Sequence, residues 1–471
     1  MHIVFLNPQG NFDACDSHLT EHSDFGGQLV YVKELAMAMA EMGHRVDILT
    51  RRIDDPDWPE FASEIDRYPG YEEHLRIVRV SCGGPEFLNK ERLWDHLDEF
   101  VHNMLAFYGE EPPQFATAHY ADGGYCAALT RALTGIGFTF TGHSLGAQKL
   151  DKLGTNLDNL EEMEARYRFS RRIAAERLSM SRAFRIVTST EQERHEQYAH
   201  PLYTGAVDVQ ADDRFSVIPP GVNTRVFTVD EGEQDAATGA QLRAKLDGLP
   251  GPFVLVSSRL DEKKNILGVV SAFAESRQLR ERAGLVICIR GIDDPFEEID
   301  RLPETERPIL HAIVATITEA GLRDRVRFLN IQSQKQLAAT YRFFAEHGSV
   351  FALTAFYEPF GLAPIEAAAC GLACVATRNG GPSEIFADGS GILVDPFDSG
   401  DIARGLLQAL AEHADLSDRA RRRVSAAYTW RKTAQGYVSV IEDGVKAVHD
   451  RGQATPRLDA GRLILDYLRH E

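Results

Sequence analysis

Short runs of β-branched and aromatic residues alternate along the chain with longer stretches in which apolar residues recur every three or four positions. The short runs predict strands and the longer stretches predict helices. In the first half the predicted strands are His2–Asn7, Arg45–Leu49, Arg76–Val80, Phe115–Ala118, Phe138–Thr141 and Phe184–Thr188. In the second half they are Phe253–Ser257, Leu285–Arg290, Arg325–Leu329, Val350–Leu353, Ala373–Ala376 and Ile392–Val394. Such alternation is typical of parallel sheets with helical crossovers, and two successive series indicate two α/β domains.

Helical periodicity fills the spaces between these strands. In the first half it predicts helices over Leu29–Met42, Arg92–Tyr108, Met163–Met180 and Glu191–Tyr198. In the second half it predicts helices over Ile266–Ser276, Pro308–Ala320, Gln336–Glu346 and Ile402–Glu412. Because residues 229–251 are rich in Gly, Asp and Glu, we expect the connection between the domains there. The pattern predicts an N-terminal domain over 1–245, a C-terminal domain over 246–428, and terminal helices over 429–471 that pack back on the N-terminal domain.

Doubly wound domains bind their ligands at the carboxyl ends of their strands. When two such domains face each other, these ends border a cleft. We therefore expect an α/β protein made of two doubly wound, Rossmann-like domains that face an inter-domain cleft. The residues that follow the predicted strands are therefore the candidate catalytic and ligand-binding residues.

Charge and composition argue against two classes of binding partner, nucleic acids and membranes. The 471 residues include 51 Lys and Arg against 70 Asp and Glu, a formal net charge of −19 at pH 7. This acidic excess argues against nucleic-acid binding, because a duplex needs a basic protein face. No apolar run approaches the ~20 residues that span a bilayer, and residues 2–6 are typical of a core strand and not of a secretion signal. We expect a cytoplasmic protein without membrane contact.

Six cysteines are too few for a disulfide framework in a chain of this length. Cys370 and Cys374 lie four residues apart, so a shared helix face would allow a redox or metal pair. The alternative is that both are small buried apolar residues.

Two glycine-containing turns follow predicted strands of the N-terminal domain. Gly26-Gly27-Gln28 precedes the first helix. It suits either close backbone approach to an anion or a tight turn without a ligand. Residues 142–146 read Gly-His-Ser-Leu-Gly and match the Gly-x-Ser-x-Gly turn of serine hydrolases, with Ser144 as nucleophile and residues 119–124 as an oxyanion loop. No local motif marks downstream Asp and His partners, and one hydrolase domain leaves the second strand series unexplained.

Basic residues cluster after the second turn: Lys149, Lys152, Arg171, Arg172 and Arg177. Adjacent arginines on one helix cannot both face the core, so exposure to solvent is their ordinary outcome. In an acidic chain, however, basic residues near a glycine-rich strand end are candidates for binding a substrate phosphate.

Arg259 and Lys264 flank the turn after the first strand of the second series. Two cations at this place can hold a diphosphate and neutralise it as it leaves, much as a magnesium ion does elsewhere. The alternative is a charged surface loop.

A longer motif follows the predicted strand Val350–Leu353. Residues 356–366 read Phe-Tyr-Glu-Pro-Phe-Gly-Leu-Ala-Pro-Ile-Glu, and Pro364 suits a first helical turn. The helix-start amides of residues 360–362 then predict an anion site. Glu358 and Glu366 can accept hydrogen bonds from sugar and ribose hydroxyls, although Glu366 would also serve simply as a favourable acid in the first turns of a helix.

Glu358 and Glu366, with Pro-Phe-Gly-Leu between them, resemble the signature of retaining glycosyltransferases with the GT-B fold. Residues 25–28, 141–146 and 258–261 are similar to the branch of that family that contains the sucrose synthases and sucrose-phosphate synthases. The similarity extends over nearly the whole chain. It implies a GT-B fold and transfer of glucose from UDP-glucose to D-fructose 6-phosphate, which gives sucrose 6-phosphate and UDP.

The resemblance also implies site residues. The implied catalytic residues are His143, Arg259, Lys264 and Glu358. The implied donor-binding residues are Gly27, Arg259, Lys264, Phe360, Gly361, Leu362 and Glu366. The implied acceptor-binding residues are Gly26, Gln28, Lys90, Tyr120, Ser144, Lys149 and Arg172. Because the donor phosphate is thought to deprotonate the acceptor in such enzymes, the resemblance implies neither a metal nor another cofactor.

The choice of acceptor depends on Ser144, Lys149 and Arg172, which match positions that hold the acceptor phosphate in sucrose-phosphate synthases. A sucrose synthase uses free fructose, would not need this cluster, and is the alternative function. A charge-assisted hydrogen bond to phosphate is worth about 1.5–3 kcal/mol. Two or three such bonds would therefore separate phosphorylated from free sugar by roughly 10²-fold or more. The implied partners are the two small-molecule substrates and a separate sucrose-phosphate phosphatase.

Overall fold

The computed structural model describes residues 1–18, 27–249, 251–447, 449 and 458–470. Contacts between Cα atoms divide the chain into two compact units, the first made of residues 1–219 and 433–471, the second of residues 220–432. Each unit is an α/β layer structure around a mainly or wholly parallel sheet, so the predicted fold class is confirmed.

Within the residues that the structure describes, eight strands form the sheet of the first unit. They are β1 His2–Leu6, β2 Arg45–Arg51, β3 Ile65–Asp66, β4 Leu75–Val80, β5 Phe115–His119, β6 Phe138–Thr141, β7 Arg185–Thr188 and β8 Phe215–Val217. Their order is β3-β4-β2-β1-β5-β6-β7-β8, and among these described strands only the edge strand β3 is antiparallel to its neighbour. The strands β3 and β8 have two and three residues and are too short for the sequence pattern to indicate them.

Seven helices connect these strands in the described part of the unit. They are α1 Gly27–Glu41, α2 Lys90–Leu93, α3 Leu97–Tyr108, α4 Tyr120–Thr134, α5 Gly146–Lys152, α6 Leu160–Tyr167 and α7 Phe169–Arg182. The single helix predicted over 163–180 is two helices, because Arg168 adopts left-handed backbone angles between them. The prediction missed α4, whose Gly123 and Gly124 lower helix propensity. A Cβ at Gly123 would lie 2.4 Å from the carbonyl oxygen of Leu6, so these glycines let α4 pack closely on the sheet.

Six parallel strands, all within the described ranges, form the sheet of the second unit. They are β9 Phe253–Ser257, β10 Gly284–Ile289, β11 Val326–Asn330, β12 Val350–Leu353, β13 Ala373–Thr377 and β14 Ile392–Val394. The helices of this unit are α8 Asp235–Lys245, α9 Ile266–Glu275, α10 Arg277–Arg282, α11 Arg307–Glu319, α12 Gln334–Glu346, α13 Leu362–Ala369, α14 Gly381–Ile385, α15 Ser399–Ala411 and α16 His413–Ala427. Two further helices follow, α17 Trp430–Lys446 and α18 Gly461–His470. Residues 433–471 belong to the first unit, where Tyr437 of α17 and Ile464 of α18 are buried.

The division between the units differs from the predicted boundary after residue 245. Residues 220–245 belong to the second unit, since Val222, Phe227 and Leu242 lie in its hydrophobic core. Arg342 of α12 also donates two hydrogen bonds of 2.6 Å to Asp235 at the start of α8. The polar composition of this stretch predicts a linker, but its few apolar residues attach it to one unit.

Both sheets reverse their strand order at one point, which fixes where ligands bind. The second sheet runs β11-β10-β9-β12-β13-β14, the doubly wound order with its switch between β9 and β12. The first sheet switches between β1 and β5. Ligands of doubly wound sheets bind at the carboxyl ends of the strands beside this switch. In this chain those ends lead into the loops that begin at residues 7, 258 and 354 and, after β5, directly into α4 at Tyr120.

Candidate active site

Arg172 is the centre of the site in the first unit. Its guanidinium is almost fully buried, donates a 2.6 Å hydrogen bond from Nη2 to the carbonyl oxygen of Ser144, and lies over the ring of Tyr120 at 4.5 Å. Tyr120 follows β5 and Ser144 follows β6, so the carboxyl ends of adjacent strands meet at this cation. Nη1 makes no hydrogen bond within the described residues and is available to an anion.

Glu176, one helical turn after Arg172, holds it in place. The carboxylate of Glu176 is fully buried and accepts hydrogen bonds from Nε of Arg172 at 3.0 Å, from the amide of Gly146 at 2.8 Å, and from the hydroxyl of Tyr203. Burial raises the pKa of Glu176 despite these donors. The sequence analysis missed this residue, although its spacing of four from Arg172 is the spacing of a helical ion pair.

Lys149 lies close to the same guanidinium, and Lys90 lies close to Lys149 and to Tyr120. Burial, together with the positive charges of Arg172 and Lys90, lowers the pKa of Lys149 to about 8. The ammonium of Lys149 lies 4.1 Å from the ring centre of Tyr167 and makes no hydrogen bond or ion pair within the described residues. The structure therefore brings together five predicted acceptor residues: Lys90, Tyr120, Ser144, Lys149 and Arg172.

The other basic residues of the predicted cluster are either paired within the protein or exposed to solvent. Arg171 pairs with Asp95 at the surface, and Arg177 donates to the carbonyl oxygens of Leu202 and Thr204. Lys152 is exposed at the end of α5. Arg172 is thus the buried member of the adjacent arginine pair.

His143 follows β6 with left-handed backbone angles, φ 57°. Its Nε2 lies 2.9 Å from Nδ1 of the buried His119, and its ring meets the ring of Tyr31 edge-on at 4.8 Å. Burial lowers the pKa of His143 to about 3, so the imidazole is neutral at physiological pH. His119 and Tyr31 are contacts that the sequence analysis missed.

The glycine motif before the first helix is described only in part. Gly26 lies outside the described residues. Gly27 begins α1 with nothing within 4 Å of a Cβ built there, and Gln28 donates a 2.7 Å hydrogen bond to Asn7 at the end of β1. Gln28 is therefore placed at the switch point of the first sheet.

The geometry around Ser144 does not support a serine hydrolase. Nε2 of His143 faces His119, and the side-chain contact of Ser144 Oγ is Arg172 at 3.5 Å. No histidine within the described residues hydrogen-bonds Ser144. The predicted oxyanion loop is not a loop, because His119 ends β5 and residues 120–124 begin α4.

In the second unit the loop after β9 carries the two predicted cations. Arg259 is exposed, and its side chain makes no hydrogen bond or ion pair with any described residue. Nζ of Lys264 lies 2.6 Å from Oε2 of Glu358, which follows β12. Asn265 shapes this loop with a φ of 50°, donating to the carbonyl oxygens of Thr354 at 3.0 Å and Pro396 at 2.8 Å. The structure thus joins Lys264 to Glu358, which lie 94 positions apart in the sequence.

The loop that carries Glu358 is locked to the loop after β13. The amide of Glu358 donates to the carbonyl oxygen of Asn379 at 3.1 Å, and the carbonyl oxygen of Glu358 accepts from Gly381 at 2.9 Å. Gly380 has a φ of 99°, and a Cβ there would lie 2.0 Å from the carbonyl oxygen of Glu358. The glycines therefore serve the close approach of two loops that position one carboxylate.

We expect Gly380→Ala to destabilise the second unit by about 2–3 kcal/mol, through backbone strain and the collision with Glu358. Gly291→Ala is the matched control, because Gly291 has nearly the same φ, 98°, but nothing within 4 Å of its Cβ. Thermal unfolding followed by circular dichroism measures both. Equal losses in the two variants would show that the contact with Glu358 adds nothing to the strain.

The start of α13 presents free amides and a carboxyl. Phe360, Gly361 and Leu362 precede or begin the helix, and Gly361 has a φ of 109°. Glu366 is half-buried, and its carboxyl makes no hydrogen bond or ion pair with a described residue. Burial raises the pKa of Glu366 to about 8. Its carboxyl is therefore mostly protonated at pH 7 in the free protein.

Among the described residues, neither the Cys370 and Cys374 pair nor a metal-ligating cluster adds chemistry to these sites. Cys370 directly follows the last residue of α13 and Cys374 lies in β13, so they do not share a helix face. Both are buried, and burial raises both pKa values. Within the described ranges, no group of three or more His, Cys, Asp or Glu side chains could hold a metal ion. None of the helices in the described part of the chain is long and apolar enough to cross a membrane.

Comparisons with known proteins cover both units. The Glycosyl transferase 4-like domain matches residues 26–209, and the family described as Glycosyl transferases group 1 matches residues 242–430. A probable sucrose-phosphate synthase of Thermosipho melanesiensis is 46% identical over 94% of this chain and 96% of its own length. The sucrose-phosphate synthase of Zea mays is 33% identical over 98% of this chain. The Zea mays protein is longer, and the match covers 49% of its length.

A solved structure has the same fold. The sucrose-phosphate synthase of Thermosynechococcus elongatus matches with a TM-score of 0.66 and 25% identity, over 94% of this chain and 98% of that one. The fold and the relatives together confirm a glycosyltransferase with the GT-B fold, and they give no support to a serine hydrolase. The chain therefore belongs to the sucrose-phosphate synthase family, whose members are glycosyltransferases of sucrose synthesis.

Proposed function

We propose that this protein transfers glucose from UDP-glucose to D-fructose 6-phosphate with retention at the anomeric carbon, giving sucrose 6-phosphate and UDP. The family supports glucosyl transfer in sucrose synthesis. The substrates follow from the two sites, each of which offers unpaired charge to a particular chemical group.

The observation that carries the choice of acceptor is the cation cluster of the first unit. Nη1 of Arg172 and Nζ of Lys149 have no hydrogen-bond partner within the described residues, and Lys90 is close enough to lower the pKa of Lys149. Cations that repel one another at the end of a sheet are stabilised by a bound dianion. A phosphorylated sugar supplies such a dianion, and free fructose does not. Tyr120, Ser144 and Gln28 would position the same sugar.

The second unit offers the matching features for a nucleotide sugar. Arg259 and Lys264 would bind the diphosphate, together with the amides of Phe360, Gly361 and Leu362 at the start of α13. Glu366 would accept hydrogen bonds from the ribose, and Glu358, held by Lys264, would contact the glucose. Because these cations supply the positive charge that a divalent metal supplies elsewhere, the proposal includes no metal cofactor.

In the proposed reaction the bond between C1 of glucose and the β-phosphate oxygen breaks as Arg259 and Lys264 neutralise the departing UDP. The anomeric hydroxyl of fructose 6-phosphate attacks C1 from the face that UDP leaves, and its proton passes to the departing phosphate oxygen. His143, being neutral, can contact the donor sugar without repelling the positive charge that develops on it. A phosphatase that hydrolyses sucrose 6-phosphate is the partner enzyme that this product implies.

The test is release of UDP from UDP-glucose with fructose 6-phosphate, free fructose or no acceptor, with and without a chelator. We expect release with fructose 6-phosphate at least about 10²-fold faster than with fructose, unchanged by the chelator, and a phosphorylated disaccharide as product. Equal rates with both acceptors would indicate a sucrose synthase. No turnover with either acceptor would overturn the proposal.

We expect binding of UDP-glucose at pH 7 to release close to one proton through Glu366. Ribose hydroxyls that donate to its carboxylate favour the ionised form and lower its pKa, which is about 8 in the free protein. Affinity should therefore rise with pH up to about 8 and then level off. Nearby Tyr341 does not titrate in this range, since burial raises its pKa well above 10.0.

Calorimetry of UDP-glucose binding in two buffers of different ionisation enthalpy measures this proton release. Glu366→Gln should bind about tenfold more weakly and release no proton. Wild-type binding without proton exchange would contradict the assignment of Glu366 to the ribose.

A further inference from the structure

A row of three hydrogen-bonding side chains leads from the core of the first sheet to His143. Thr117 and His119 are both fully buried on the same face of β5. Oγ1 of Thr117 lies 3.1 Å from Nε2 of His119, and Nδ1 of His119 lies 2.9 Å from Nε2 of His143. The two imidazole planes differ by only 26° with centroids 5.1 Å apart, an arrangement that suits an in-plane N–H···N hydrogen bond.

The imidazoles are fixed in place by packing. His119 stacks on Phe5 with ring centroids 5.5 Å apart and an angle of 2° between the planes. Tyr31 packs edge-on against His143, and its hydroxyl lies 3.0 Å from that of Tyr437, which in turn lies 2.6 Å from Oγ1 of Thr141. Because neither ring can turn freely, the N···N contact persists, and one of the two nitrogens must carry the proton that joins them.

Proton counting along the row favours one arrangement. If Thr117 donates to Nε2 of His119, then Nδ1–H of His119 donates to Nε2 of His143, and the donors of the two fully buried residues, Thr117 and His119, both have an acceptor. In the reverse arrangement His143 donates to His119 and His119 donates to Thr117, which leaves the buried Thr117 O–H without an acceptor among the described residues. A buried unpaired donor is costly, so the first arrangement is favoured.

We propose that His119 is a positioning residue that fixes His143 in the tautomer with the proton on Nδ1. In that tautomer a neutral His143 offers one N–H donor and no acceptor, because its Nε2 is already occupied by His119. Nδ1 makes no hydrogen bond within the described part of the chain and is available to a sugar oxygen. This inference extends the proposed function, in which His143 contacts the donor glucose.

The tautomer can be measured without substrate. Long-range ¹H–¹⁵N correlation spectra of the full-length protein, labelled with ¹⁵N-histidine, distinguish the two neutral tautomers and the cation at neutral pH. His143→Gln identifies the signals of His143. We expect the Nδ1–H pattern for His143. An Nε2–H pattern or a cationic ring would overturn the inference and leave the proposed function standing, because this experiment involves no turnover.

Two variants of similar size test whether the tautomer matters for catalysis. In His119→Asn the amide nitrogen can take the place of Nδ1 and still donate to His143, whereas His119→Leu removes the donor. We expect the Nδ1–H signal and a kcat within about threefold of wild type in His119→Asn. In His119→Leu we expect a mixture of tautomers. We also expect kcat to fall by about tenfold or more, since the wrong tautomer of a catalytic histidine slows catalysis. KM for fructose 6-phosphate should stay within about twofold in both.

A purely structural role for His119 would give a different result, with equal losses of thermal stability and of kcat in the two variants. Thr117→Val adds a milder check, because it keeps the shape of the threonine and removes its O–H. We expect it to loosen the tautomer preference of His143 in the same spectra. An unchanged, pure Nδ1–H signal in both Thr117→Val and His119→Leu would show that His119 does not set the tautomer.

Discussion

Replacing Arg259 by alanine should lower kcat for glucosyl transfer by about 10²- to 10³-fold, the usual cost of removing one preorganised group that stabilises developing charge. The side chain of Arg259 is exposed and makes no hydrogen bond or ion pair with a described residue, so its removal should not change the thermal stability of the protein. Arg259→Lys keeps the positive charge but cannot form the bidentate hydrogen bonds that a guanidinium makes to phosphate, so its kcat should be intermediate. Steady-state rates of UDP release with both substrates saturating measure the effect.

Arg277→Ala is the matched control for this prediction. Arg277 is also an exposed arginine of the second unit, paired with Glu281 on α10, and it lies before β10, at the opposite edge of the sheet from the strand ends that bear the site. Its removal should leave kcat unchanged. A kcat for Arg259→Ala within about threefold of wild type would place Arg259 away from the departing diphosphate.

Replacing Lys149 by alanine should lower kcat/KM for fructose 6-phosphate by about 10- to 10²-fold and leave the weak reaction with free fructose nearly unchanged. The lost charge-assisted hydrogen bond to phosphate is worth about 1.5–3 kcal/mol, and free fructose does not form it. The measurement is the ratio of kcat/KM for the two acceptors at constant UDP-glucose. A parallel loss with both acceptors would mean that Lys149 does not contact the phosphate.

Lys152→Ala is the control, since Lys152 lies on the same helix three residues later and is exposed. The pH dependence gives a second test. Because the pKa of Lys149 is about 8 in the free protein, the ammonium loses its proton as the pH rises through 8. KM for fructose 6-phosphate should therefore increase above pH 8 in the wild type. Lys149→Arg keeps its charge at that pH and should abolish the increase.

The strand ends that carry both sites could be read from the sequence, because buried parallel strands are short apolar runs whatever surrounds them. Twelve strands were predicted, and all of them are present within one or two residues at each end. Since ligands of doubly wound sheets bind after the strands, the motifs at 142–146, 258–264 and 358–366 follow from the local pattern. The resemblance to known glycosyltransferases rests on the same residues.

Contacts between side chains that are distant in the sequence could not be predicted from the local sequence pattern. The sequence shows Arg171 and Arg172 as equivalent neighbours, whereas the structure buries Arg172 on Glu176 and pairs Arg171 with Asp95. The contact between Lys264 and Glu358 likewise depends on the pairing of β9 with β12.

By itself, the sequence of this protein determined its two α/β series, the loops that bear chemistry and the family to which it belongs. The tertiary structure alone decided which cationic side chains are buried and which carboxylates pair with them. It also decided that His143 lies within hydrogen-bond distance of His119. The physical reason is that hydrophobic periodicity and turn propensity act over a few residues, whereas the burial and pairing of a charge depend on the neighbours that folding brings together.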